Sequence, residues 1–147
     1  MRPWMRYTLA VIAGAIAAVL CVAAVESLGH ALYAPPADLD IADPQAMAAY
    51  LQSMPAGAFL FVLLAWVIGT VVGGLVACML ARTRPQLFAL VIGGLMLLGA
   101  FANFAMIPHP TWFMVAAVIA IPAAAVLAGR LGARWRRAEA TPAPTIH

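Results

Sequence analysis

Residues 7–31 read YTLAVIAGAIAAVLCVAAVESLGHA. Crossing the hydrocarbon core of a bilayer takes about 20 apolar residues in a helix, and this run supplies them. It therefore predicts a membrane-spanning helix. Glu26, near its end, is the only acid inside any hydrophobic segment, and His30 follows it by one helical turn. An ionisable side chain at membrane depth is costly, so it marks a candidate functional site.

The rest of the chain extends this pattern. Pro35-Pro36 stops the first helix, because proline lacks an N–H and disfavours helical geometry in the residue before it. Asp43-Pro44 opens a second helix, with Asp as the cap and Pro in the first turn. Met47, Tyr50, Leu51 and Met54 recur at i, i+3, i+4 and i+7, while Gln45, Gln52 and Ser53 lie elsewhere on the surface. That spacing predicts a short amphipathic helix over about 44–54, too short to span, lying along the outer interface or capping the bundle. Apolar runs over about 57–80, 86–106 and 111–128 predict three more spans, with a kink near Pro122 in the last. Residues 138–147 are rich in Pro and Ala and read as a disordered tail. The expectation is one all-α domain over 1–137, an integral membrane four-helix bundle.

Composition fits that class. The 147 residues are 66% hydrophobic and 9% charged, against about 25% charged in soluble domains. All eight basic residues are arginines: Arg2, Arg6, Arg82, Arg84, Arg130, Arg134, Arg136 and Arg137. They cluster at the N-terminus, between the second and third spans, and after the fourth. The net charge of +3 is thus a topology signal, with no aromatic-interleaved basic groove for nucleic acid. Both termini are expected inside, N-in and C-in, in a bacterial inner (cytoplasmic) membrane. The amphipathic helix and the loop bearing Asp38 and Asp40 then face the periplasm. A cleaved signal peptide fits poorly, because its apolar region usually holds 7–15 residues. A lipoprotein box fits poorly too, since Leu20 precedes Cys21. Cys21 and Cys78 fall at different depths, which argues against a disulfide.

Depth counting brings several polar residues into one layer. At a rise of ~1.5 Å per residue, Glu26 lies roughly 28 Å beyond Tyr7, and Asn103 roughly 24 Å beyond Leu87. His30 and Tyr33 continue the Glu26 face, and His109 follows Asn103 in the next turn. The face of Glu26 and His30 neighbours the small residues Gly14, Ala18 and Gly29, so both are expected to point inward. Glu26, His30, Asn103 and Tyr33 are the candidate ligand- or proton-binding residues.

Three readings of this constellation compete. Glu26 and His30 bond to each other or to loop backbone as a structural pair. Alternatively, Glu26, His30 and His109 form a metal site, since two imidazoles and a carboxylate suit zinc or iron, with Asp38 or Asp40 as a further oxygen. In the third, Glu26 carries protons in a small proton-coupled transporter, with Trp66, Thr70 and Asn103 along its path. An accessory subunit of a larger membrane complex is a further alternative. No catalytic motif is recognisable: Ser27 adjoins Glu26 in sequence, but i, i+1 residues do not share a helix face.

Small residues bring membrane helices together. Gly69 and Gly73 form a GxxxG pair, which reads either as packing within the bundle or as a homodimer face. Ala10, Gly14 and Ala18 make a similar ridge on the first span.

The segments Glu26-Ser27-Leu28-Gly29-His30, Tyr33 to Pro36, Phe59 to Trp66 and Asn103 to Pro110 together give the chain its character. In these it resembles a family of small four-span bacterial inner-membrane proteins. The resemblance implies the fold and multi-pass placement and carries no activity with it. The chain is also loosely similar to small multidrug-resistance transporters, which have four spans and a functional glutamate in the first. Their glutamate lies near mid-membrane, whereas Glu26 lies near the outer end.

Overall fold

The computed structural model describes residues 2–34, 36, 39–40 and 42–140, without the side chains of residues 139 and 140. Among the described residues the protein is all helical: α1 (Pro3–Leu32), α2 (Pro44–Ser53), α3 (Ala56–Ala81), α4 (Pro85–Met106) and α5 (Thr111–Ala140). Helices α1, α3, α4 and α5 are long and apolar enough to cross a bilayer. They alternate in direction, which makes an antiparallel four-helix bundle of a multi-pass membrane protein. Their outward faces carry large apolar side chains; Leu98 is 67% exposed and Ile119 66%. Water would penalise such a surface, whereas lipid accepts it.

Local chemistry sets the helix ends. Pro3 stands in the first turn of α1, where its missing N–H costs nothing, so this helix starts four residues before the expected span. Asp43 caps α2 by accepting from the Gln45 N–H at 2.9 Å. The α3–α4 turn is tight. Arg82 (φ 54°) and Arg84 (φ 40°) both take left-handed backbone, a conformation that L-residues with a Cβ adopt at a cost. The last helix departs most from expectation. It runs unbroken through Pro122 and continues to Ala140, so residues 138–140 belong to a helix rather than to a tail. Gly129 and Gly132 let it pass close to Gln86 and Cys78, so the helix keeps its packing beyond the apolar run. Residues 141–147 lie outside the described residues.

Helix α3 is the centre of the bundle and packs against α1, α4 and α5. Among the described residues α1 does not reach α5. The α1–α3 seam is made of small residues. A methyl group placed on Gly73 would sit 2.5 Å from the Gly14 carbonyl oxygen and 2.7 Å from the Ala18 Cβ, and one on Gly69 would sit 2.6 Å from Val22. The Gly69/Gly73 ridge is therefore filled by α1 of the same chain, and a second copy could reach it only by displacing α1. Beside this seam Tyr7 packs on Phe88, with ring centroids 5.4 Å apart. Ala10, Ala77, Ala81 and Ile92 complete the core at this end, which carries all the arginines of the described residues.

The opposite end is built of larger side chains. Phe59, Trp66 and Phe113 form its core, with Phe104 against them. Helix α2 lies over this end. Its backbone approaches no other helix closely, and it joins the core through Leu51 and Met54.

Candidate functional site

A cavity of about 480 Å³ opens beneath α2, between the ends of α1, α3 and α4. Glu26, His30, Tyr33, Asn103 and His109 all line it. The wall between them is aromatic and apolar, including Tyr50, Phe59, Phe61, Val62 and Trp66. A cavity of this size is in the range that encloses a small organic ligand.

Glu26 is half-buried, and its carboxylate turns toward α3. The Trp66 indole N–H donates to Glu26 Oε1 at 3.2 Å. Trp66 is only 7% exposed and is wedged between Phe104 and Phe113, with centroids 5.9 and 5.5 Å away. A ring held on both sides cannot follow a moving carboxylate, so it fixes Glu26 in place. Glu26 Oε2 has no hydrogen-bond partner among the described residues.

His30 does not pair with the Glu26 carboxylate. Its Nδ1 lies 2.9 Å from the Glu26 backbone carbonyl, the bond that a helix offers one turn back. His30 is exposed at the edge of the cavity rather than directed into the bundle. His109 is fixed on the far wall. Its Nδ1 lies 2.7 Å from the Ile107 carbonyl, and its ring stacks on Phe113 at 5.2 Å and 16°. A carbonyl oxygen can only accept, so in each histidine Nδ1 bears the proton, and in the neutral ring Nε2 keeps its lone pair.

These residues share one cavity but do not gather as the expected metal triad. Among the described residues no three His, Cys, Asp or Glu side chains form a group that could hold a metal ion. Glu26 is committed to α3, His30 to its own helix and His109 to its own turn. Asp40 instead accepts from the Ala42 N–H at 2.9 Å, and Asp38 lies outside the described residues. The zinc or iron reading finds no support in this arrangement.

Asn103 is half-buried, and its side-chain amide makes no hydrogen bond among the described residues. The Tyr33 hydroxyl hangs over α3, where a methyl on Gly57 would meet it at 2.7 Å. Phe61 answers from the other side, its ring lying on Gly29 of α1. Thr70 is not part of the cavity wall. It is fully buried, and its hydroxyl donates to the Trp66 carbonyl at 2.7 Å. Cys21 and Cys78 are both free, and the Cys78 thiol donates to the Pro85 carbonyl at 2.9 Å.

The role of Phe61 escaped the sequence reading, and so did the cavity that α2 covers. Met47, Tyr50, Leu51 and Met54 were recognisable as one helix face, but nothing in their spacing says what that face covers. Phe61 could have been found only by pairing it with Gly29, across 32 residues of chain.

No family model, curated protein or solved structure matches this chain.

Proposed function

We propose that this multi-pass membrane protein binds a small amphipathic molecule in the cavity under α2. One observation carries the reading: a fixed carboxylate, two imidazoles, an unpaired amide and five aromatic rings line one cavity roofed by a lightly attached helix. The arginine end faces the cytoplasm by the positive-inside rule. The cavity then opens toward the outer face, the periplasm in a bacterial inner membrane. An apolar wall with a few polar groups suits a molecule with an apolar body and a polar head. Helix α2 serves as the roof under which it enters.

The test is equilibrium binding of 4-phenylbutan-1-ol to the full chain in lipid nanodiscs, with protein-free nanodiscs as the blank. Saturable binding is expected, weakened about tenfold or more by Ala58→Phe, which puts a ring into the space beside Phe59 and Val62. Non-saturable partitioning, equal in both proteins, would overturn the reading.

A further inference from the structure

The hydrogen-bonding groups of the cavity are unbalanced. The bonds made within the protein use up donors: the Trp66 indole N–H goes to Glu26, and the Nδ1–H of each histidine goes to a backbone carbonyl. Three strong acceptors remain on the wall without partners among the described residues, Glu26 Oε2, His30 Nε2 and His109 Nε2. The hydroxyls of Tyr33 and Tyr50 and the amide of Asn103 can serve either way. The only side chain on this wall that can do nothing but donate, Trp66, is already spent on Glu26.

Charge points in the same direction. The acids Glu26, Asp40 and Asp43 lie at this end, and every arginine lies at the other. Helix α3 spans 26 residues between the two ends, roughly 39 Å at 1.5 Å per residue. Glu26 is bonded to Trp66, 16 residues along α3 from Arg82, roughly 24 Å by the same rise, so no arginine pairs with it. Five aromatic residues, Tyr33, Tyr50, Phe59, Phe61 and Trp66, share the wall with it, and aromatic faces attract cations. The remaining surface, with Met47, Leu51, Met54 and Val62, is apolar.

We propose that the ligand is a protonated amphipathic amine. Its ammonium N–H groups bond to the Glu26 carboxylate, and its apolar body lies under α2 against Phe59, Phe61 and Val62. The assignment rests on the small-molecule reading above and adds the head group. It requires a cation that donates hydrogen bonds. A quaternary ammonium satisfies the charge but leaves the acceptors unpaired, and an alcohol offers one donor and no charge.

Three probes with one body separate these requirements: 4-phenylbutylamine, its trimethylammonium analogue and 4-phenylbutan-1-ol. Each is titrated into the full chain in nanodiscs at neutral pH, where the amine is protonated. The amine should bind about tenfold or more tightly than either of the others, the range of one charge-assisted hydrogen bond. Glu26→Gln should cost the amine about tenfold and leave the alcohol unchanged. The glutamine oxygen still accepts from Trp66, so this variant keeps the wall intact. Equal binding of amine and alcohol, or of amine and trimethylammonium, or indifference to Glu26→Gln, would overturn the amine assignment and leave the cavity reading standing. Non-saturable partitioning of the alcohol, equal in the wild type and Ala58→Phe, would overturn the cavity reading itself.

Discussion

At the arginine end, α1 and α3 meet backbone to backbone, with Gly14 against Gly73 and no room for a methyl group between them. At the α2 end the same two helices meet through side chains, Phe61 lying over Gly29 and the Tyr33 hydroxyl over Gly57. The same glycine-bearing helices thus close the bundle at one end and leave a cavity of about 480 Å³ at the other. Residue size accounts for the difference. Alanines and glycines let backbones touch, while rings bridge a gap without filling it. The polar groups gather where the gap is, because a buried carboxylate or amide needs partners and space that a glycine seam cannot supply.

The sharpest way to break this comparison is to crowd the closed end. Gly73→Leu should abolish the folded bundle or cost at least about 3 kcal/mol, read as lost helicity on titration with sodium dodecyl sulfate. Gly94→Leu, at a position with nothing within 4 Å, should change stability by no more than about 0.5 kcal/mol. Similar losses from both would mean that the seam is not where the bundle is held.

The open end should respond to loss of a partner instead. Trp66→Phe removes the donor to Glu26 and should cost about 2 kcal/mol, as expected when a charged group loses its hydrogen bond. Adding Glu26→Leu should recover part of the loss. No recovery in the double variant would mean that Trp66 acts through packing alone. A smaller effect is expected at the roof. Leu51→Ser weakens one of the two side chains that tie α2 to the core. Amide exchange in α2 should rise about tenfold, with the arginine end unaffected. The least effect belongs to the α3–α4 turn. Arg82→Gly relieves left-handed backbone at a helix C-terminus and should stabilise the protein by up to about 1 kcal/mol.

Much of this was legible in the sequence. The spans follow from apolar runs of sufficient length, and α2 from Asp43-Pro44 with its i, i+3, i+4 spacing. Counting residues along two segments put Glu26, His30, Asn103 and His109 in one layer, with Tyr33 on the Glu26 and His30 face, and the structure places all five on one cavity wall. Depth, however, says nothing about which way a side chain turns. His30 and His109 are claimed by nearby carbonyls, and such short-range bonds are invisible to spacing arguments. Glu26, His30 and His109 share a depth, yet among the described residues they are not gathered into a group that could hold a metal ion. The GxxxG pair was ambiguous for a related reason: it announces a close contact without naming the partner, which proved to be α1. The length of α5 was missed because hydrophobicity ends at Ala128, whereas helical packing through Gly129 and Gly132 does not.

The central claim is that a small molecule occupies the space between Glu26 and Asn103. It is tested most directly by cysteine protection in a Cys21→Ser, Cys78→Ala background. Asn103→Cys would be labelled with a membrane-impermeant maleimide, with and without saturating amounts of whichever of the three probes binds most tightly. Met106→Cys, at an 82% exposed position on the same helix, is the control. The account predicts that the probe slows labelling at position 103 about tenfold, the protection given by roughly 90% occupancy, and leaves position 106 unchanged. Equal labelling at position 103 with and without a saturating probe would contradict it.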